Sequence, residues 1–161
     1  RIMIYTVKKG CHRSSWLPRF TFDTELILYF EFLTDPSYLL ENKSDQGDTN
    51  KIFGISDSWH HHRHSIRIGW RYDTRLLKSI CSIYYYRDGK HFIEDLGTIE
   101  QNKPYLCFMD IQKDCYSITS LDKKVTIPRT SKWWGPRYLL FPYFGGQQVA
   151  PKEFKIEIQK W

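Results

Sequence analysis

Apolar and polar residues alternate with a period of two from one end of the chain to the other, and no convincing helical stripe interrupts them. Near the end, Phe154, Ile156 and Ile158 alternate with Glu153, Lys155, Glu157 and Gln159. Between Phe20 and Leu33, the residues Leu26, Leu28, Phe30 and Phe32 alternate with Glu25, Tyr29 and Glu31. Successive side chains of a strand point to opposite faces, so each run predicts a strand with one oily and one wet face. Aromatic residues make up 17% of the chain, a composition that suits pleated, half-buried surfaces.

Further strands are expected at Ile2 to Thr6, His64 to Tyr72, Ser79 to Arg87 and Lys90 to Leu96, the last two joined at Asp88-Gly89, a strong hairpin signal. Pro104 to Ile111, Cys115 to Ser120 and Val125 to Pro128 read as a meander. Eight to ten strands at hairpin spacing with little helix predict an all-β fold, an antiparallel β-sandwich of jelly-roll type. The 161 residues are expected to form a single β-sandwich domain, 1–161, large enough for a core without disulfides. The polar connection from Asp35-Pro36 to Lys51 is expected to be a functional loop or to hold a short helix at Ser37 to Asn42. Cys11, Cys81, Cys107 and Cys115 form no CxxC pair and read as free thiols acting as small hydrophobes.

The first ten residues lack the apolar core and cleavage site of a signal peptide, which leads us to expect synthesis in the cytoplasm. No apolar run is long enough to span a bilayer. A net charge of +6 favours an acidic partner, although a basic protein without a polyanion partner is an equal reading.

The most unusual segment holds His60, His61, His62 and His64 within five positions. Continued in register into the strand, His62 and His64 would share a face with Ile66 and Trp70. With His91 on a nearby strand, His60, His62 and His64 are candidate zinc ligands, and His62, His64 and His91 are the catalytic candidates of an enzyme. The preferred reading is structural, with imidazoles bonding locally at a strand end; no HExxH pattern accompanies them.

Arg63, Arg67 and Arg71 would line the opposite face, beside Tyr84, Tyr85 and Tyr86. Such a face can grip acidic groups bidentately and stack on rings. Arg67, Arg71, Tyr84 and Tyr86 are the expected ligand-binding residues, flanked by Trp59 and Trp134. Asp45, Asp48 and Asn50 have the oxygen donors for calcium, but turn chemistry explains them better. No cofactor is therefore predicted, with zinc or calcium as the alternatives. Trp133, Trp134, Tyr143 and Phe144 offer a sugar platform or a plug for the end of the sandwich; the plug is preferred for most of them. A paired-carboxylate glycosidase could draw on Glu25, Glu31, Asp57, Glu94 and Asp95, yet no ExDxE-like pattern supports it.

Three stretches, KKGCHRS, NKIFGISDSWHHHRHSIRIGWRY and LFPYFGGQQVAPKEFKIEI, resemble small uncharacterised single-domain sequences associated with tailed bacteriophages and bacteria. The chain also resembles the concanavalin A-like jelly rolls, an architecture of lectins, polysaccharide-active enzymes and virion modules. It lacks the carboxylate motif of their glucanase branch and the Arg, Gln-x-His and Tyr motifs of their alginate-lyase branch. These readings together lead to an expected non-enzymatic recognition or assembly module, a virion or surface-complex component. Its partners would be a glycan or acidic surface and neighbouring subunits, with homo-oligomers supplying avidity. The alternative is a small polysaccharide-active or metal-dependent enzyme using the His60–His64 cluster. Nucleic acid is disfavoured for want of a recognised binding motif.

Overall fold

The computed structural model describes residues 1–14 and 18–161. Among them are twelve strands: β1 (Ile2–Val7), β2 (Arg19–Thr21), β3 (Glu25–Phe32), β4 (Asn50–Ser56), β5 (Ser65–Asp73), β6 (Lys78–Arg87), β7 (Lys90–Ile99), β8 (Tyr105–Ile111), β9 (Cys115–Ser120), β10 (Lys123–Pro128), β11 (Arg137–Leu140) and β12 (Phe154–Lys160). They form two six-stranded sheets, one in the order β1-β12-β3-β8-β9-β10 and the other β2-β11-β4-β5-β6-β7. The ladders between named strands are antiparallel. This is a jelly-roll β-sandwich, as the alternation predicts.

The expected faces hold where the alternation is cleanest. Leu26, Leu28, Phe30 and Phe32 of β3 are fully buried, as are Phe154 and Ile156 of β12. They meet Ile66, Ile68 and Trp70 of β5 across the sandwich in one core, each such side chain contributing about 1.5–3 kcal/mol on burial. The Asp88-Gly89 hairpin also forms, both residues taking positive φ, 52° and 79°. All four cysteines are free: Cys81 and Cys107 are buried, Cys115 is half-buried and Cys11 is exposed.

Three expectations need correction. The run from Phe20 to Leu33 is two strands in different sheets. Thr21 Oγ1 donates to Asp23 Oδ2 at 2.9 Å and accepts from the Asp23 backbone N–H at 3.0 Å, a local turn that competes with the ladder. The helix considered at Ser37 to Asn42 is absent; a single 3-10 turn lies at Lys43–Asp45 instead. Gln46 holds that connection down, accepting from Leu40 N–H and donating to Tyr38 O. The histidine run does not extend β5. Residues 57–64 form the turn between β4 and β5, closed by Asp57 N–H donating to His64 O at 3.0 Å and Arg63 N–H to His60 O at 3.0 Å. No helix among the described residues is long and apolar enough to cross a membrane.

Candidate functional site

The outer face of the second sheet carries a cleft of about 730 Å³. Strand register lays out the outer face of this sheet in rows, part of which floors the cleft. One row runs Phe20, Tyr138, Ser56, Ser65, Tyr86, His91 across β2, β11, β4, β5, β6 and β7. The next holds Gly54, Arg67 and Tyr84, and the one after it Lys51, Gly69 and Ser82. The walls come from Trp59, His61 and His62 of the β4–β5 turn and from residues 141–146, with Arg13 and Pro18 at the rim.

Lys51 reaches this face because of a bulge between Lys51 and Phe53, which shifts the β4 register by one. Ile52 and Phe53 both turn into the core, while Lys51, Gly54 and Ser56 face the cleft. Lys51 exchanges backbone hydrogen bonds with Tyr143, and its Nζ donates to Gly145 O at 3.1 Å. The ammonium lies 4.8 Å from the centre of the Tyr84 ring and 5.8 Å from that of Tyr143. Tyr143 is braced by stacking on His12 at 5.2 Å.

Arg67 is the centre of the floor. It is only 6% exposed, and its Nε has no hydrogen-bond partner among the described residues. Burial pulls its guanidinium down to about 10. Burial, with Arg67 alongside, likewise brings the Lys51 ammonium down to about 8 and the His61 imidazole down to about 3; His62 is lowered for the same reasons. Tyr84 donates to Tyr86 between hydroxyls 3.2 Å apart, and burial together with that bond pushes the Tyr84 phenol up. Among the described lining residues there is no Asp or Glu. Asp48 stands behind Gly146, close enough for its charge to be felt by Lys51 and Tyr84. The cleft thus offers cations and phenols to an anion, and no carboxylate pair for hydrolysis.

Of the expected ligand-binding residues, Trp59, Arg67, Tyr84 and Tyr86 come together here. Arg71 does not. It forms a bidentate pair with Asp95 at 2.6 and 2.9 Å and donates to Ser82, so its charge is already matched. Trp134 lies elsewhere, over the guanidinium groups of Arg129 and Arg137 at 4.7 and 5.1 Å. Those two arginines share Asp57, whose side chain is 0% exposed, and Tyr116 donates to the same carboxylate. The aromatic segment therefore divides: Phe144 is core, Trp134 caps this ion cluster, and Tyr143 lines the cleft.

The histidines do not converge. His62 lines the cleft with its ring 5.1 Å from Tyr86, and His91 stacks on Tyr84 at 5.7 Å. His64 sits 3.8 Å from Asp88. His60 is exposed, its carbonyl accepting from Ser58 Oγ. Asp45, Asp48 and Asn50 are separately engaged: Asp45 accepts from Gln148, Asp48 faces Gly146, and Asn50 bridges Tyr38 and the Gly145 N–H. Among the described residues no group of three or more His, Cys, Asp or Glu is placed to hold a metal ion. Lys51 and Arg13 escape the sequence reading; the bulge hides Lys51, since simple alternation would put it on the face of Phe53.

No protein-family model and no curated protein matches the chain in sequence. Solved structures do match its fold. An alginate lyase from Klebsiella pneumoniae superposes with a TM-score of 0.61 at 10% identity, over 85% of this chain and 58% of that one. The alginate lyase AlyC3 gives 0.60 at 10% identity, over 99% and 74%. A laminarinase from Flavobacterium gives 0.58 at 11% identity, over 99% and 78%. The chain thus spans just over half the length of the first of these lyases and about three quarters of the other two enzymes. At such identities the likeness establishes the jelly-roll architecture alone. These neighbours are alginate lyases and a laminarinase, enzymes and not binding modules, and they stand against the expected non-enzymatic module. Nothing in them points to a virion part.

Proposed function

We propose that this chain, acting as one β-sandwich domain over 1–161, binds an acidic polysaccharide in the cleft and cleaves it by β-elimination beside a uronate carboxylate. The observation that carries this reading is Arg67, a buried guanidinium whose Nε has no partner among the described residues, in a cleft whose described lining has no carboxylate. A charge held out of water in this way is costly until an anion meets it. A uronate carboxylate fits the guanidinium fork, and Lys51 adds a second cation. Support also comes from the fold, which is that of two alginate lyases, one of them solved with dimannuronate.

The chemistry follows from the neighbours of Arg67. Pairing the carboxylate with Arg67 and Lys51 makes the C5 proton more acidic by stabilising the charge that develops as it leaves. Tyr84 takes that proton on its oxygen while passing its own to Tyr86, which protonates the departing C4 oxygen. The C5–H and C4–O bonds break, a C4=C5 double bond forms, and no water is consumed. Both phenols begin and end neutral, in keeping with burial pushing Tyr84 up.

The test is incubation with polymannuronate, polyguluronate and polyglucuronate, following ultraviolet absorbance of unsaturated uronate ends. Absorbance is expected to rise, Tyr84→Phe to abolish turnover with binding retained, and Arg67→Ala to lose both. New reducing ends without absorbance would identify a hydrolase and overturn the reading, as would failure to cleave any polyuronate.

A further inference from the structure

Beyond Arg67 and the two tyrosines the cleft floor continues as an uncharged aromatic strip. Trp59 is 81% exposed, with its ring 4.7 Å from that of Tyr138. The Tyr138 ring lies 4.5 Å from that of Phe20, which is 50% exposed and stands directly opposite it on β2. The three rings belong to three separate segments (the β4–β5 turn, β11 and β2), and only the fold brings them together. Tyr138 and Trp59 line the cleft itself, so the strip is continuous with it. The Tyr138 hydroxyl is buried and has no hydrogen-bond partner among the described residues.

Exposed aromatic rings in file, contiguous with a ligand cleft, are an interaction surface rather than a core remnant. We infer that Phe20, Tyr138 and Trp59 form a stacking subsite that holds sugar rings of the same polysaccharide chain, away from the bond that is cleaved. Their occupant is a pyranose ring, whose C–H face is apolar and matches the face of an aromatic ring. The charged end of the cleft selects the carboxylate; the aromatic end grips the chain whatever charge that sugar carries. The enzyme therefore prefers long chains to short ones. This inference rests on the reading of the cleft as a polysaccharide site.

The experiment compares the wild type with Phe20→Ala and Phe20→Tyr on a polyuronate and on short oligomers cut from it, with kcat and KM read from the absorbance of unsaturated ends. Phe20→Ala is expected to raise KM for the polymer about three- to tenfold, the scale of one aromatic contact, with kcat and the short-oligomer kinetics held. Phe20→Tyr restores the polymer KM. An unchanged polymer KM, or an equal loss on short oligomers that Phe20→Tyr does not repair, overturns the subsite. Should the wild type cleave no polyuronate, the proposed reaction fails on its own. The strip is then read by electrophoresis through gels cast with acidic and neutral polysaccharides. Retardation weakened by Phe20→Ala supports it, and unchanged or absent retardation overturns it.

Discussion

Arg67 crosses the cleft floor directly over Gly54, where a Cβ would stand 2.7 Å from Arg67 Cγ and 2.2 Å from the backbone oxygen of Ile66. The absence of a side chain at position 54 is what lets a long cation lie flat on a neighbouring strand. Gly54→Ala is expected to destabilise the fold by about 1–3 kcal/mol through overpacking and to weaken polyuronate binding, because Arg67 must be displaced. Urea unfolding and a binding titration on the same variant would measure both losses; a variant with wild-type stability would contradict the contact.

Arg67 itself sets stability against function. Its guanidinium is buried without a carboxylate, so exchanging it for an apolar side chain of similar reach removes a desolvated charge. Arg67→Met is expected to stabilise the free protein by about 1–3 kcal/mol while abolishing binding of acidic polysaccharide. Thermal melting with and without ligand would show a higher melting temperature and no ligand-induced shift. A destabilised Met variant would mean that the guanidinium is matched in solution by a group of the protein.

Two cleft groups tie stability to pH. Lys51 carries its proton in both folded and unfolded states below about pH 8, and the cost of burying the ammonium is then fully present. As pH rises from 8 towards 10 the folded protein sheds a proton that the unfolded chain keeps, and stability should climb by about 2 kcal/mol. His61 is neutral in the fold down to about pH 3, so its contribution is whole above 6.5 and fades as pH falls from 6.5 towards 3. The alkaline climb should vanish in Lys51→Met, and the acid decline should be shallower in His61→Gln. Urea midpoints across the pH range would decide both.

At one end of the sandwich, Asp57 accepts from Arg129 Nε at 3.0 Å and Arg137 Nε at 2.9 Å, all three side chains being buried. Asp57→Asn leaves two guanidinium groups facing a neutral amide beneath Trp134. The loss should be about 3–5 kcal/mol, the scale for breaking a buried pair from one side. A denaturant midpoint close to the wild type would show that the cluster relaxes outward into water.

The sandwich was legible wherever one strand face is oily and the other wet, as in β3 and β12, because burial enforces that alternation residue by residue. It was not legible at β4 and β11, where NKIFGIS contains a bulge and RYLL pairs for only four residues. Arg67, Tyr84 and Tyr86 could be placed on one face because β5 and β6 run regularly past each other. Arg71 sits on the same face of β5 but is occupied by Asp95 from β7, a pairing that depends on a second bulge, between Cys81 and Ser82. Trp134 and the histidines at 60–64 fall outside the strands, where strand periodicity says nothing about direction. Carboxylate pairs and metal ligands are the patterns by which a sequence signals catalysis, whereas this cleft is made of cations and phenols.

Strand β12 occupies the slot between β1 and β3. Until residues 154–160 arrive, that sheet is two fragments with facing unpaired edges, and Phe154, Ile156 and Ile158 are missing from the interior. Like the final stave of a cask, this segment draws the whole wall tight. A ribosome-bound chain lacking it would expose both edges to other strands. The sheet that backs the cleft is therefore complete only with these residues in place, although none of them lines it.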